Sequence, residues 1–354
     1  MDDIYFSHGG NIYEVQRKFK KEVIDFSANI NPLGLSHQAR EVFFKNWDKI
    51  VHYPDSESRD LLKSIARRWH IKEENILLGN GSSELVYLLV SVLRPQKTVI
   101  PAPTFSEYER AIRSVKGKIK WVKLKEGDGF TLNLSPFWET DWLIICNPNN
   151  PTGNLLIKDR KIDHPFARFV LVDEAFLDFL PDEKRHTFVW KATQDKRYVV
   201  LRSFTKFFAL PGLRIGYLIG HKDLIHSLKH ATVPWNINVF AQLLAEVTIS
   251  DKDYIRRTRE LIRKEKDFLY RELSKMEGVK PYPSVTNFLL VKIEDGKINS
   301  FTLTRRLIHQ GVFIRNCWNF KYLSDRFIRI AVRSHSENIK LIHALKEILW
   351  KGSF

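Results

Sequence analysis

One lysine of the chain stands among groups that could bind a phosphate, in the segment 201–216. Ser203 and Thr205 precede Lys206, and Arg214 follows it eight residues later. A lysine held in a semi-apolar pocket can be neutral and nucleophilic, as Schiff-base chemistry requires. Two hydroxyl groups and a guanidinium could neutralise a phosphate dianion beside it. The same segment is also compatible with a surface lysine on a loop that follows a strand.

An aspartate follows directly after the apolar run Phe169–Val172. If that run is a buried strand, Asp173 lies at the carboxyl edge of a parallel sheet, where α/β proteins bind ligands. There its carboxylate could pair with a protonated pyridine nitrogen and keep an aromatic cofactor electron-poor. An aspartate at this position could equally cap the N-terminus of a helix.

Two further segments combine turn residues with groups that bind ligands. A predicted strand is followed by Cys-Asn-Pro-Asn-Asn-Pro-Thr-Gly, which contains Asn150. The other segment, Leu77–Glu84, contains Gly81, Ser82 and Ser83 and leads into an apolar helix. A glycine-rich turn that opens a helix directs free N–H groups and the positive end of the helix dipole toward an anion. Ordinary loop chemistry and a serine N-cap explain the two segments more simply.

The elements that must position these residues alternate between strand and helix from about residue 57 onward. Short buried strands between helices are typical of an α/β domain with a largely parallel sheet. The predicted strands are Thr98–Pro101, Trp142–Cys146, Phe169–Val172, Tyr198–Leu201 and Ile215–Ile219. The clearest helices are predicted at Glu84–Leu93 and Glu107–Val115.

After Pro234 the pattern changes to that of a second, α+β domain. Two helices are predicted at Val239–Ser250 and Asp253–Met276, followed by strands at Asn287–Ile293, Val312–Arg315 and Phe327–Val332. Near the N-terminus the segments 8–11 and 29–34 have the composition of loops. We therefore predict an N-terminal arm (1–40), a large domain (41–236) and a small C-terminal domain (237–354).

Length and composition narrow the class of protein. A chain of 354 residues can form two domains, each with its own core. The two cysteines, Cys146 and Cys317, give neither a disulfide framework nor the spacing of a metal site, so a reducing cytoplasm fits best. No apolar run approaches the ~20 residues that cross a bilayer. The stretch Met1–Asn11 lacks the apolar centre of a secretory signal.

The formal net charge of +16 is compatible with nucleic acid, an anionic surface or a phosphorylated small molecule as partner. Many basic residues fall on the long helix predicted at 253–276, where acidic residues are interleaved with them. This mixture favours a solvated helix face over contact with nucleic acid. We therefore expect neither a nucleic-acid nor a membrane partner.

The order of the motifs is more specific than any one of them. Gly-Ser-Ser, Asn-Pro-Thr-Gly, Asp-x-x-Phe, Ser-x-Thr-Lys and Arg-x-Gly follow one another along the chain. In this order they resemble the fold type I pyridoxal-phosphate superfamily, the aspartate-aminotransferase-like enzymes. The resemblance implies that Lys206 carries pyridoxal 5′-phosphate, that Asp173 pairs with the pyridine nitrogen, and that Asn150 contacts the 3′-oxygen. It assigns the cofactor phosphate to Gly81, Ser82, Ser83, Ser203, Thr205 and Arg214.

The same resemblance gives roles to two tyrosines. Tyr108, in Thr-Phe-Ser-Glu-Tyr, matches the ring that stacks on the cofactor, a contact worth about 1 kcal/mol beyond area burial. Tyr53, in His-Tyr-Pro-Asp, resembles the tyrosine that such enzymes send to the cofactor phosphate of the neighbouring subunit. A homodimer is therefore expected. Without the family, both would be interpreted as ordinary core aromatics.

Within this superfamily, four stretches resemble the threonine-phosphate decarboxylases of cobalamin biosynthesis more than the histidinol-phosphate aminotransferases. The aminotransferases usually have an acidic residue where Ile30 stands and a tyrosine where Phe176 stands. An additional arginine, Arg333, also follows the decarboxylase pattern. The four stretches are His8–Asn11, Asp25–Gly34, Asp173–Phe179 and Phe327–Ser334.

The decarboxylase resemblance implies conversion of L-threonine O-3-phosphate to (R)-1-amino-2-propanol O-2-phosphate, used for the cobalamin nucleotide loop. It implies that the N-terminal arm contributes to the substrate site. The residues that match substrate contacts are His8, Gly9, Asn29, Asn150, Arg315 and Arg329.

Several alternatives stay open at the level of sequence. Phosphoserine lacks one methyl group, and a pocket distinguishes such a difference by only ~1–3 kcal/mol, so an L-serine O-phosphate decarboxylase fits as well. Transamination of histidinol phosphate is the alternative activity among enzymes. A DNA-binding regulator on an aminotransferase fold is the alternative from another class. Arg315 and Arg329 could also be strand arginines in surface ion pairs, usually worth less than ~1 kcal/mol.

Overall fold

The computed structural model describes residues 8–133, 140–160 and 167–350. The stretch Met1–Asn11, predicted not to be a secretory signal, lies partly outside these ranges. The arm contains α1 (Ile12–Phe19) and β1 (Ile24–Asp25), and α2 (His37–Lys45) crosses its predicted boundary with the large domain; none of the three was predicted. The two predicted loops, 8–11 and 29–34, are confirmed. Strand β1 pairs in parallel with the distant strand Val312–Phe313, which joins the arm to the C-terminal part of the chain.

The large domain alternates strands and helices as predicted, and each predicted element lies within two residues of an observed one. Its helices are α3 (Arg59–Trp69), α4 (Ser82–Leu93), α5 (Glu107–Ser114), α6 (Glu183–His186), α7 (Val189–Gln194) and α8 (Lys222–Lys229). Its strands are β2 (Ile76–Gly79), β3 (Lys97–Ala102), β4 (Lys118–Lys123), β5 (Thr140–Cys146), β6 (Ala167–Asp173), β7 (Tyr198–Ser203) and β8 (Gly216–Gly220).

These strands form one seven-stranded sheet in the order β2-β8-β7-β6-β5-β3-β4. Strand β8 runs antiparallel to both of its neighbours, and the pairs from β7 to β4 are all parallel. The central strands β6 and β7 are almost wholly buried, which explains their continuous apolar runs of Val and Leu. The predicted largely parallel sheet is therefore confirmed.

Strand β4 forms one edge of this sheet and was not predicted. Its sequence, Lys-Ile-Lys-Trp-Val-Lys, alternates between exposed and half-buried residues. Charged lysines on an edge strand oppose pairing with another chain, because a second strand would have to bury them. The same lysines conceal the strand in the sequence, since they interrupt its apolar character.

The small domain contains α9 (Val239–Ser250), α10 (Lys252–Ser274), α11 (Ser300–His309) and α12 (His335–Trp350). Its strands are β9 (Val279–Pro281), β10 (Phe288–Ile293), β11 (Val312–Phe313), β12 (Arg315–Asn316) and β13 (Phe327–Ala331). Four of them form an antiparallel sheet in the order β12-β13-β10-β9, and β11 pairs with the arm. Helix α10 begins at the predicted place because the Asp251 side chain accepts a hydrogen bond from the Tyr254 amide.

Candidate active site

The register of the large sheet brings the predicted motifs to one edge. Cys146, Asp173 and Leu201 lie side by side at the ends of β5, β6 and β7. Strand β8 runs the opposite way, so its first residue, Gly216, lies next to Gly79 at the end of β2. The loops that follow these strands therefore meet at the carboxyl edge, as expected for a ligand site in an α/β fold.

A cavity of about 220 Å³ opens at this edge. The predicted residues that line it are His8, Gly9, Asn29, Ser82, Ser83, Tyr108, Asn150, Asp173, Phe176, Ser203, Thr205, Lys206, Arg214, Arg315 and Arg329. The other lining residues were not predicted as contacts, although all of them except Phe320 lie within the quoted motifs; they are Ser27, Ala28, Phe105, Ser106, Cys146, Ala175 and Phe320. The cavity thus joins the arm, the large domain and the small domain.

Lys206 is half-buried and lines the cavity, so the alternative of a surface lysine is wrong. Burial lowers the pKa of Lys206 to about 8, and the positive charges of Arg329 and Arg214 act in the same direction. The arm holds the backbone here, because the Asn31 amide donates to the Lys206 carbonyl at 3.0 Å. The lowered pKa gives this amine a larger neutral, nucleophilic fraction than an ordinary lysine has at the same pH.

A cradle for a phosphate forms where α4 begins. Gly81 is the N-cap, at φ 89°, and no side chain caps this helix, so its first N–H groups are free for an anion. A Cβ atom on Gly81 would lie 2.5 Å from the Arg214 guanidinium, so glycine is needed there. The Ser203 and Thr205 hydroxyls lie 2.8 Å apart across the cavity wall. The N-cap explanation of Ser82 is wrong, because it is the first residue inside the helix.

Asp173 is buried and holds two hydrogen bonds. Its Oδ2 accepts from the Tyr108 hydroxyl at 2.5 Å, and its Oδ1 accepts from the Ala175 amide at 2.9 Å. Burial raises the pKa of Asp173, while the hydrogen bond from Tyr108 opposes that shift. The residue is not a helix N-cap, since the next short helix, Leu177–Phe179, follows Phe176.

Two aromatic side chains form apolar walls. Phe176 is buried and meets Phe288 edge-on, with ring centroids 5.0 Å apart. Phe105 is half-buried and meets Tyr108 edge-on at 5.6 Å. Phenylalanine offers no hydrogen bond to a ligand, so polar contacts to a bound ring depend on residues such as Asn150.

Arg315 and Arg329 lie directly opposite each other on β12 and β13. Both are buried, which rules out surface ion pairs. Like charges opposite each other in a sheet destabilise it. Burial lowers the pKa of Arg329 to about 10, and Arg315 acts in the same direction. The Arg329 guanidinium donates to the Asn150 side-chain oxygen and, at 2.8 Å, to the Ser27 carbonyl.

The arm closes one side of the cavity. Gly9 passes so close to Ser27 that a Cβ atom would lie 2.1 Å from its carbonyl oxygen. The His8 imidazole lies 3.0 Å from the Glu107 carboxylate, a contact that no motif predicted. Asn29 is buried, and its side-chain oxygen has no hydrogen-bond partner within the described residues. Such an oxygen at a cavity wall is free to accept from a ligand.

Two predicted residues lie outside the cavity. Tyr53 is 82% exposed and packs against Trp235, with ring centroids 5.0 Å apart and the rings tilted by 36°, so it is not a core aromatic. Arg333 donates to the Asp25 carbonyl at 3.0 Å and to the Glu337 carboxylate at 2.8 Å. Arg333 therefore supports the arm and does not face a ligand.

Comparisons with known proteins agree with this architecture. The family model described as aminotransferase class I and II matches residues 21–345. The threonine-phosphate decarboxylase of Salmonella typhimurium is 36% identical over 97% of this chain and 96% of its own. The histidinol-phosphate aminotransferase structure from Clostridium acetobutylicum is 32% identical and covers 91% of this chain and 98% of its own, with a TM-score of 0.84. The L-threonine-O-3-phosphate decarboxylase structure from Porphyromonas gingivalis is 26% identical, covering 92% and 98%, with a TM-score of 0.81.

Proposed function

Because the chain belongs to the class I and II aminotransferase family, we propose that it is a pyridoxal-phosphate enzyme that decarboxylates L-threonine O-3-phosphate. The products are (R)-1-amino-2-propanol O-2-phosphate and carbon dioxide, with one proton taken up at Cα. The aminopropanol phosphate is a precursor for cobalamin. Similarity to threonine-phosphate decarboxylases over nearly the whole chain supports this reaction.

The cavity fits pyridoxal phosphate by its donor set. The uncapped start of α4, with the guanidinium packed over Gly81, suits a phosphate dianion. Bound there, the cofactor supplies a protonated ring that takes up the electrons of the bond broken at Cα. Asp173 would pair with the ring nitrogen, and Asn150 would contact the 3′-oxygen. The Tyr108 ring would stack on the cofactor ring. The phosphate would be held by Gly81, Ser82, Ser83, Ser203, Thr205 and Arg214.

Two buried arginines, Arg315 and Arg329, favour an anionic substrate. Positively charged residues opposite each other on neighbouring strands repel, so an anion bound beside them would be stabilised. Carboxylate and phosphate groups both accept paired hydrogen bonds from a guanidinium. A phosphorylated amino acid brings both groups. The arm, residues 1–40, would add His8, Gly9 and Asn29 to this substrate site.

Two residues determine which bond breaks and where the proton goes. Arg329 would bind the substrate carboxylate and fix its orientation, because orientation selects which bond of Cα reacts. Lys206, protonated as an ammonium group beside the substrate, would donate its proton to Cα and become a neutral amine. A guanidinium that only stabilised the bound carboxylate would slow its departure, so Arg329 must act chiefly by orientation.

Phe176 provides a reason for decarboxylation over transamination. A tyrosine at this position could donate a hydrogen bond to the cofactor 3′-oxygen, and phenylalanine cannot. We propose that the absence of this hydrogen bond favours protonation at the substrate Cα over protonation at the cofactor carbon C4′. Phe176→Tyr should then raise the fraction of turnovers that end in transamination, measured as released pyridoxamine phosphate. An unchanged fraction would show that Phe176 does not direct the proton.

The reaction is tested by supplying the purified protein and pyridoxal phosphate with three substrates in parallel. Phosphothreonine is expected to yield carbon dioxide, and phosphoserine to yield it more slowly, since the missing methyl group costs about 1–3 kcal/mol of binding. Histidinol phosphate with 2-oxoglutarate is expected to yield no glutamate. Glutamate formation with no carbon dioxide from either phospho-amino acid would contradict the proposal.

We also propose that the protein is a homodimer in which Tyr53 reaches the cofactor phosphate of the other subunit. An apolar surface supports this, formed by the exposed side chains Phe44, Trp47, Ile50, Val51, Tyr53, Val233 and Trp235. Patches of this kind mark protein interfaces. Sedimentation should give twice the chain mass for the wild type and a monomer for Trp235→Asp. A monomeric wild type at micromolar concentration would refute the dimer.

A further inference from the structure

The Tyr108 hydroxyl has a task that its ring does not explain. Tyr108 is 1% exposed, and its hydroxyl donates to Asp173 Oδ2 at 2.5 Å. The other carboxylate oxygen, Oδ1, accepts from the Ala175 amide at 2.9 Å. A ring that merely stacked on a cofactor would have no need of this hydroxyl.

We infer that Tyr108 is a positioning residue that keeps Asp173 ionised and fixes which side of its carboxylate faces the cavity. The inference rests on the proposed cofactor, because its consequence concerns the proton shared between Asp173 and a ring nitrogen. Each carboxylate oxygen has two acceptor sites. The Tyr108 and Ala175 donors occupy one on each oxygen and leave the others for a ligand.

The electrostatic surroundings explain why Asp173 needs such a donor. The titratable groups that act on it are Tyr108 on α5, Cys146 on β5 and Arg202 on β7. Burial raises the pKa of Asp173, while the hydrogen bonds from Tyr108 and Ala175 and the charge of Arg202 lower it. Burial also raises the pKa of Tyr108, so the phenol stays a donor throughout the neutral range.

The position of the proton between Asp173 and the ring nitrogen should depend on the Tyr108 hydroxyl. In a buried pair, a carboxylate facing a ring N–H competes with a carboxylic acid facing a neutral ring nitrogen. A hydrogen bond donated to the carboxylate favours the first arrangement, since it stabilises the charged oxygen. Without the Tyr108 hydroxyl, the proton should move toward Asp173 and leave the ring less able to accept electrons.

The test uses Tyr108→Phe, which removes the hydroxyl and keeps the ring, in the enzyme loaded with pyridoxal phosphate labelled with ¹⁵N in the ring. The ¹⁵N resonance is expected to shift toward that of a neutral pyridine, and the pH midpoint of its titration to fall. We expect kcat to fall about 10- to 100-fold with little change in KM, because a hydrogen bond to a charged group is lost.

A matched control is Tyr198→Phe, which removes the hydroxyl of another buried tyrosine, stacked on Phe188 outside the cavity. It should leave the ¹⁵N resonance and kcat unchanged. Should Tyr108→Phe fold poorly, 3-fluorotyrosine at position 108 gives the opposite test. This stronger donor should raise the midpoint of the ring titration.

The outcomes separate this inference from the proposed function. A wild-type protein that binds no labelled cofactor, or releases no carbon dioxide, would refute the proposed function. A wild type that does both, beside a Tyr108→Phe enzyme with an unshifted ¹⁵N resonance and normal kcat, would refute the role of Tyr108 alone. Reduced thermal stability without a ¹⁵N shift would mean that the hydroxyl is merely structural.

Discussion

Two groups of charged side chains lie on opposite faces of the central strands and are built differently. Arg202 and Ser203 are consecutive on β7, so their side chains point to opposite faces of the sheet. On the side of Ser203 is the cavity, lined by Lys206, Arg214, Arg315 and Arg329 and by one carboxylate, Asp173, within the described residues. On the side of Arg202 is an ionic network of three arginines and three carboxylates, namely Arg68, Arg202, Arg259, Glu174, Asp178 and Glu183.

The ionic network is internally compensated. Arg202 lies 2.8 Å from Glu174 and 2.9 Å from Asp178, and Arg259 of the small domain lies 2.9 Å from Glu183. Burial tends to lower the pKa of Arg202, but these carboxylates hold it well above its ordinary value. The charged forms of Arg68, Arg202 and Asp178 are therefore favoured in the folded protein without any ligand, whereas burial raises the pKa of Glu174.

The cavity shows the reverse behaviour. Burial lowers the pKa of Lys206 to about 8 and that of Arg329 to about 10, and neighbouring cations add to both shifts. Cations whose protonated forms are disfavoured in the empty fold are stabilised when anions bind. Charged side chains that the fold pairs with opposite charges serve stability, whereas cations whose charged form is disfavoured by burial, such as Lys206 and Arg329, mark a ligand site.

The largest expected effect comes from removing the cavity amine. Lys206→Ala should reduce decarboxylation by about 10⁴-fold or more, because covalent attachment and proton transfer are lost together. Borohydride treatment should add the mass of the reduced cofactor to the peptide that contains Lys206 in the wild type and to none in the variant. Attachment to another lysine in the wild type would contradict the assignment.

Breaking the ionic network should affect stability instead. Arg202→Met leaves Glu174 and Asp178 buried without their main partner, and we expect a loss of about 3–5 kcal/mol in the free energy of unfolding. Urea denaturation measures this loss. The control is Arg256→Met on the surface of α10, whose ion pairs with Asp253 and Glu260 should be worth less than about 1 kcal/mol. Equal losses in both variants would show that burial of the network does not matter.

Arg329→Met is the corresponding change in the cavity. It should weaken binding of phosphothreonine by about 10- to 100-fold, the value of a hydrogen bond to a charged group. The cofactor-free protein should lose less than about 1 kcal/mol of stability, because the variant relieves repulsion from Arg315. If urea denaturation showed a loss as large as that of Arg202→Met, the two regions would not differ in the proposed way.

The fold could be predicted wherever burial leaves a local pattern. Strands β5, β6 and β7 appear in the sequence as continuous apolar runs, because both faces of a parallel sheet are covered. Helices α1 and α2 are short and mostly polar, and β4 is an edge strand interrupted by lysines, so none was predicted. Pairing of the arm with Val312–Phe313 joins residues almost 300 positions apart and leaves no mark in either segment alone.

The site was predictable to a similar degree and for a similar reason. Residues at strand ends carry their chemistry in short motifs, and the register of the sheet assembles those motifs into one cavity. Contacts between motifs were not predictable. The hydrogen bond from Tyr108 to Asp173 joins α5 to β6, and the contact of His8 with Glu107 joins the arm to α5. Such contacts depend on the packing of side chains across the whole fold.

The smallest expected effect is a change in stability with pH that comes from the cavity alone. The pKa of Lys206 falls from 10.5 to about 8 on folding, mainly because of burial. Between these values the unfolded chain retains a proton that the folded chain has released, so the contribution of Lys206 to stability rises with pH. Below about pH 8 both states are protonated, and the unfavourable buried charge is fully present.

Lys206→Met should therefore stabilise the cofactor-free protein most below pH 8, and this advantage should shrink as the pH rises toward 10. The slope cannot exceed one proton, or about 1.4 kcal/mol per pH unit. Urea denaturation at several pH values measures it, with Lys222→Met as control, because that side chain is exposed on α8. If the difference in the free energy of unfolding between Lys206→Met and the wild type did not change with pH, the cavity amine would be charged as readily as in water. The contrast with the ionic network would then rest on the arginines alone.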